Sequence, residues 1–520
     1  MRIAARAKAR GRQQISDKHS VSSPVKGLNA YDALANMRPD DAVSLDNWYP
    51  RPSYCEIRGG SVSWATGMAG TAKTLAVYNS IAGTSQLFCA TNSGVYNVSA
   101  GGAVGASVAS RTNGKHQWLM FGDGTSNWLI MVNGVDKPLY YNGTTWTAVD
   151  GASSPALTGV TTTNLIGVEQ HKGRLWFIEK ATMNAWYLSS GVAGGALTKF
   201  DLSGVAQRGG YLMALSKWTV DAGSGPDDRL AFITSEGEII VYEGTNPASA
   251  ATWALVGVYY VGRPLGRRCF TKIGGDVLII TQVGIFALSS VLGESGINYN
   301  NAISRRIEKT FNELALTYGA NYGWSATVYP AQTALVINVP IAEDGTHYQF
   351  VMNTIHKAWC RFLNWDAEDF VDYGGQLYYC QGTKVIKAWS GTNDQGSNIE
   401  AYAKCAFNYF GTPTLQKQFK LYRPMLLVNG SLSFLVDIDV DYSDADITGI
   451  ATYTTTSAGL WDVSLWDVGF WADGLQVVKE WATPGEWTGY CAASKLKIAT
   501  NSLLVQWMSN DIVFESGGIL

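Results

Sequence analysis

Seven strand-turn-strand units recur along the first three quarters of the chain, and this self-similarity constrains the fold more than any single residue does. They begin as QLFCATNSGVYNV at Gln86, NWLIMVNGVDKPLYYNG at Asn127, RLWFIEKATMNAWYLS at Arg174 and RLAFITSEGEIIVYEG at Arg229. DVLIITQVGIFALS at Asp276, ALVINVPIAEDGTHYQFVMN at Ala334 and QLYYCQGTKVIKAW at Gln376 follow. Aligning Leu87, Leu129, Leu175, Leu230, Val277, Leu335 and Leu377 gives spacings of 42, 46, 55, 47, 58 and 42. Such a period suits about four strands per unit with variable loops, which is the rhythm of a β-propeller. A β-solenoid would repeat at about 20 residues and more regularly, and a string of small sandwiches is the other rival. No G-H followed by W-D recurs, which disfavours the WD40 type. The expectation is an all-β chain with a propeller of six to eight blades.

Most units end their second strand on an aromatic residue near a small one: Tyr96, Tyr141, Tyr187, Tyr242, Phe286 and Trp389. Rings so placed can wedge between neighbouring sheets. One inserted helix is predicted, because Ile303, Ile307, Phe311 and Leu314 share a face, with Ser304 as its cap. After Gly391 the pattern changes to longer alternating runs such as SLSFLVDIDVDYSD, typical of antiparallel strands with one buried face. The predicted organisation is a basic N-terminal arm over 1–26, N-terminal strands over 27–62 joining a platform, a propeller over 63–390, and an antiparallel β platform over 391–520.

Composition fits this picture. Of 520 residues only 16% are charged, whereas Gly (56), Tyr (26) and Trp (19) are abundant, as tight turns and aromatic contact surfaces require. The formal charge of -3 excludes a whole-surface clamp for nucleic acid or anionic lipid. Seven scattered cysteines contain no C-x-x-C pair, so they read as small buried hydrophobes rather than a disulfide framework or zinc cage. The N-terminus has no apolar signal-peptide core, and synthesis in a reducing cytoplasm is expected.

Motifs for chemistry are weak. GMAGTAKT, Gly67 to Thr74, places Ala72 where a phosphate loop needs glycine, and the LAVYNS that follows reads as strand. DIDVDYSD sets Asp437, Asp439 and Asp441 on one face of a strand, which could chelate calcium but reads better as a solvated face or a charged sheet edge. Asp366, Glu368, Asp369 and Asp372 could supply an acid and base for glycoside hydrolysis. Asp-box repeats are absent, the five histidines lack ligand spacing, and no G-x-S-x-G elbow occurs. No catalytic, cofactor-binding or metal-binding residue is therefore assigned, no cofactor is expected, and the chain is expected not to be an enzyme.

Two segments are candidate contact surfaces. Arg2, Arg6, Lys8, Arg10 and Arg12 precede the first acid, Asp17, and form either a solvated tail or a docking arm that orders on a protein or DNA partner. LWDVSLWDVGFWADG spaces Trp461, Trp466 and Trp471 five residues apart, giving interface aromatics on a hairpin or a small local core.

Three ordered blocks also carry a family resemblance. GLNAYDALANMRPDDAVSLDNWYPRPSYCEIRGG (Gly27 to Gly60) resembles the entry motif of tail proteins from short-tailed bacteriophages. WSATVYPAQTALVINVP, YQFVMNTIHKAWCRFLNWDAEDF and GGQLYYCQGTKVIKAW are similar to a second stretch of that family, and FGTPTLQKQFKLYRP followed by DIDVDY to a third. The family is the tail nozzle, or tail tubular protein B-like, component of podovirus-type tails. The resemblance implies a structural virion protein at the distal tail, a homo-hexamer that closes the channel, retains packaged DNA and conducts it at ejection. Implied partners are the tail adaptor protein, tail fibres or spikes, double-stranded DNA in the lumen and the host envelope. The alternatives are a propeller-type glycan-degrading receptor-binding tail protein, or a head-completion and DNA-stabilising protein nearer the portal.

Overall fold

The computed structural model describes residues 16–219, 228–292, 298–447, 449–453, 475–478, 480–483 and 487–517. The chain forms two compact units, one of residues 28–31 and 58–399, the other of residues 1–27, 32–57 and 400–520.

The first unit is a seven-bladed β-propeller, each blade an antiparallel sheet whose first strand lies nearest the axis. The inner strands are, in order, Ala72–Asn79, Gln117–Gly122, Leu165–His171, Leu212–Thr219, Phe270–Ile273, Ser325–Tyr329 and Asp369–Tyr373. Each packs beside the next, and the last packs beside the first. The seven hairpins of the sequence are the second and third strands of the seven blades. These strands pack on both faces against neighbouring blades, which is why they read as nearly continuous apolar runs. Leu129, Trp176, Phe232, Ile279 and Tyr379 are fully buried.

The ring-shaped wedges behave as the sequence indicated. Tyr141 of the second blade sits 4.9 Å from Tyr78 and 5.2 Å from Phe88 of the first, and its hydroxyl donates to Gln86 at 2.8 Å. Tyr96 enters the core shared with the seventh blade, Phe286 that shared with the fourth, and Tyr242 stacks on Trp253 at 5.5 Å in the core shared with the third. Tyr187 instead faces forward, into the core with the fourth blade.

Closure of the ring uses a strand from far upstream. Ser61–Thr66 pairs antiparallel with Lys384–Ala388 and completes the seventh blade. Beside it the buried Arg58 makes a two-pronged ion pair with Asp394, at 3.0 and 2.6 Å, and donates to the Leu363 carbonyl at 2.8 Å. The guanidinium also lies 4.6 Å from the Trp365 ring. At Gly60 a Cβ would fall 2.0 Å from the Asn393 carbonyl oxygen, so only glycine permits this approach.

The inserted helix differs from its prediction in register. A 3-10 turn, Arg305–Ile307, runs into an α-helix over Glu308–Tyr318. Ser304 does not cap it, because its hydroxyl is buried and accepts the Ile285 N–H at 3.0 Å. Ile307, Phe311 and Ala315 form the buried face, with Phe311 5.8 Å from Trp324 and 6.3 Å from Phe350.

The second unit is built from two antiparallel sheets. One runs in the order Trp48–Pro50, Cys55–Ile57, Val505–Ser516, Lys417–Val428, Gln476–Val478. The other contains Asp41–Asp46, Ile399–Cys405, Ala492–Thr500, Leu432–Val440 and Gly449–Tyr453. Buried Asn510 of the first sheet donates to the Cys405 sulfur of the second at 3.7 Å. Part of the basic arm expected over 1–26 is a strand of this unit. Ser16–Ser22 pairs with Val505–Ser516 along all seven residues. The strand was missed because its side chains, SDKHSVS, are almost all exposed, so backbone hydrogen bonds rather than an apolar face hold it.

Candidate functional site

The inner strands stand side by side around the axis. They enclose a cavity of about 510 Å³ whose charged lining is Glu169, Arg267, Arg268, Lys272 and Asp369, with His116 beside them. A second cavity, of about 620 Å³, continues along the same strands, shares Glu169 and Lys272, and adds Lys172, Lys217 and Asp228. Both volumes are ligand-sized.

The electrostatics begin with Arg268, which meets Asp369 at 2.8 Å. It also donates to the Thr74 hydroxyl at 2.7 Å and the His116 carbonyl at 3.2 Å, linking blades one, two and seven. Burial holds the Asp369 carboxyl above its ordinary pKa even with that guanidinium beside it. Buried Lys73 contacts Asp344 at 2.6 Å and Glu368 at 2.9 Å. Burial alone would lower this ammonium's pKa, yet the two carboxylates raise it. Tyr322 lies among the cations, its ring centre 4.7 Å from Lys115 and 5.1 Å from Arg268, and burial pushes its hydroxyl pKa up. Burial also depresses His116 to about 4, so the imidazole is neutral at pH 7, its Nδ1–H donating to the Gly114 carbonyl at 3.1 Å. Farther along, Lys217 and Lys172 share Asp228 at 3.2 and 3.5 Å. Lys272 approaches Glu169 at 3.4 Å.

The acidic run singled out in the sequence is thus dispersed. Asp369 lines the cavity, whereas Glu368 is tied to Lys73. Asp366 accepts the His347 N–H at 3.1 Å, and Asp372 accepts the Gly375 N–H at 3.0 Å in a turn. Lys73 and Thr74 of the near phosphate loop lie in the strand Ala72–Asn79, with no helix following. Sequence reasoning missed Arg267, Arg268, Lys272 and Glu169. Their only local signal was a pair of adjacent arginines before a short strand.

The reading of Asp437, Asp439 and Asp441 as a solvated face fails for the first two, while Asp441 is exposed. Asp437 and Asp439 are buried. Asp439 is neutralised by Lys495 at 2.6 Å and Lys404 at 2.7 Å, and Asp437 accepts the Trp487 indole N–H at 3.2 Å. Among the described residues no group of three or more His, Cys, Asp or Glu is placed to hold a metal ion. All seven cysteines are free and buried. Arg2, Arg6, Lys8, Arg10 and Arg12, and Trp461, Trp466 and Trp471, lie outside the described residues.

No protein-family model and no curated protein matches the chain. Solved structures of similar fold include the β-propeller domain of Cps50 (Swd1) from Myceliophteria thermophila, 11% identical over 64% of this chain and 100% of that one, with a TM-score of 0.39. An exo-β-1,3-galactanase from Phanerochaete chrysosporium is 9% identical over 77% of this chain and 97% of its own, with a TM-score of 0.30. A glycoside hydrolase family 43 arabinoxylan arabinofuranohydrolase from Bacillus subtilis is 9% identical over 87% of this chain and 95% of its own, with a TM-score of 0.26. Against the expectation that the chain is not an enzyme, drawn from missing motifs, these two glycoside hydrolases stand among the solved structures similar to it in fold.

Proposed function

We propose that the chain is a structural virion protein at the distal end of a short bacteriophage tail, assembled as a homo-hexameric ring that closes the channel, retains packaged DNA and conducts it at ejection. What supports this reading is the resemblance of three ordered sequence blocks, starting at Gly27, Trp324 and Phe410, to tail nozzle proteins. Each block supplies structural elements. The first ends at Arg58, Gly59 and Gly60 beside the strand that closes the propeller; the second contributes strands of blades six and seven; the third leads into the long strand Lys417–Val428. The axial cavity, at about 510 Å³, is ligand-sized, so DNA would pass through a lumen formed between subunits. A near-neutral subunit suits such a conduit, since each phosphate neutralised would add salt-dependent retention. A heterologous interface that closes into a ring leaves no sticky end. Adaptor protein, tail fibres or spikes and the host envelope are the partners of this reading. Electron microscopy of virions and of the purified protein tests it: a six-fold ring at the tail tip is expected, and a monomer absent from the tail overturns it. A ring at the portal instead would select the head-completion role.

One observation favours a second reading, glycan hydrolysis during receptor binding. Asp369, whose carboxyl pKa is raised by burial, and Glu169 line one cavity, and glycoside hydrolysis uses a pair of carboxyl groups. Release of sugars from host glycans that Asp369→Asn and Glu169→Gln each abolish would support it. Absence of release, or release unchanged in both variants, removes it.

A further inference from the structure

The ionisable lining of the axial cavity is unbalanced in a way that specifies a ligand. Three cations, Arg267, Arg268 and Lys272, line it with two carboxylates, Glu169 and Asp369. The carboxylates are taken, Asp369 by Arg268 at 2.8 Å and Glu169 by Lys272 at 3.4 Å. His116 adds no charge at neutral pH. One positive charge, on Arg267, is left over.

Arg267 is also poorly satisfied. Among the described residues its one hydrogen bond is a long one, 3.4 Å to the Asn133 carbonyl, and it has no carboxylate partner. The guanidinium is half-buried in the cavity wall, where burial disfavours its charge. A partly desolvated cation with free donors is the arrangement that a planar carboxylate satisfies through two parallel hydrogen bonds. Trp118, Phe270 and Phe370 line the same cavity and offer apolar contact, while Gln117 and Ser216 add hydrogen-bonding groups. A volume of about 510 Å³ takes a single sugar ring or a disaccharide, and excludes a polymer segment bound along its length.

We propose that the axial cavity of the propeller binds a carboxylate-bearing sugar, of the uronic acid class, with its carboxylate on Arg267 and its ring against the aromatic wall. Binding here requires neither ring assembly nor hydrolysis, so failure of either functional reading leaves it standing, and its own failure leaves them standing.

Titration calorimetry on the full chain at low salt, with glucuronate, glucose and inorganic phosphate as probes, tests the proposal. Glucuronate should bind at least tenfold more tightly than glucose or phosphate, and its affinity should fall as sodium chloride is raised. Arg267→Gln should weaken glucuronate at least tenfold, and Arg267→Lys should weaken it less. Equal affinity for glucose and glucuronate, preference for phosphate, no glucuronate binding, or full binding by Arg267→Gln overturns it. Should Arg267→Gln fail to fold, the ligand preference and salt dependence of the unaltered chain decide the matter.

Discussion

Arg268 and Asp369 meet at 2.8 Å beside the propeller axis, one from the entry to the fifth blade and the other from the start of the seventh. Neither blade is adjacent to the other, so this ion pair ties the ring across its centre rather than around its rim. Removing one partner strands the other as a buried charge, which costs about 3–5 kcal/mol. Arg268→Met and Asp369→Leu should therefore each lower stability by that order in urea unfolding, while the double variant should cost less than the sum. Strict additivity would show that the two charges are not coupled.

Two buried histidines make the propeller acid-sensitive. His116 and His171 are depressed by burial to about 4, whereas an unfolded chain protonates histidine near 6.5. Between these values the unfolded state binds protons that the folded state refuses, so stability is full above pH 6.5 and is lost as pH falls toward 4. The loss from pH 7 to pH 5 should be about 2 kcal/mol per histidine, read from urea midpoints at the two pH values. His116→Asn should reduce that dependence by its own share.

Gly60 is the tightest point of ring closure. A methyl group there would sit 2.0 Å from the Asn393 carbonyl oxygen, which belongs to backbone and cannot rotate away. Gly60→Ala should cost about 3 kcal/mol, since overpacking of this kind forces a backbone shift. Hydrogen exchange should show loosened protection in Ser61–Thr66 and Lys384–Ala388 before the other blades. Wild-type protection there would contradict the closure argument.

In the second unit Asp439 and Asp444 both contact Lys404, at 2.7 and 2.9 Å, yet they should behave differently. Asp439 is 2% exposed and also holds Lys495, whereas Asp444 is 83% exposed. Asp439→Asn leaves two buried ammonium groups without their common partner and should cost about 3–5 kcal/mol. Asp444→Asn should cost less than about 1 kcal/mol. Thermal unfolding of the two variants side by side checks the contrast.

Pairing of the N-terminal strand is open to a direct test as well. Deleting residues 1–22 removes the partner of Val505–Ser516 and should lower the melting temperature of the second unit. An unchanged melting curve would show that the pairing adds nothing to stability.

The seven hairpins were legible because a blade's middle strands are local: turn, apolar run and terminal aromatic fall within about 20 residues of one another. The aromatic wedges were legible for the same reason, and Tyr141 against Tyr78 shows them at work. The helix was placed nearly correctly by its apolar spacing, but Ser304 was misassigned because its hydroxyl serves Ile285, a residue 19 positions upstream. The acidic run at 366–372 looked like one cluster in sequence. Strand alternation and turning sent its members to four different sets of partners.

By itself the sequence determined the all-β class, the propeller rhythm and the change of pattern after Gly391, all of which follow from local periodicity. Only the tertiary structure decided the number of blades, the closing strand and the charged axis. Arg58 finds Asp394 across 336 positions, and Lys73 finds Glu368 across nearly 300. A ring must bring its two ends together, so the residues that close it and face its centre are related by geometry around the axis, not by spacing along the chain.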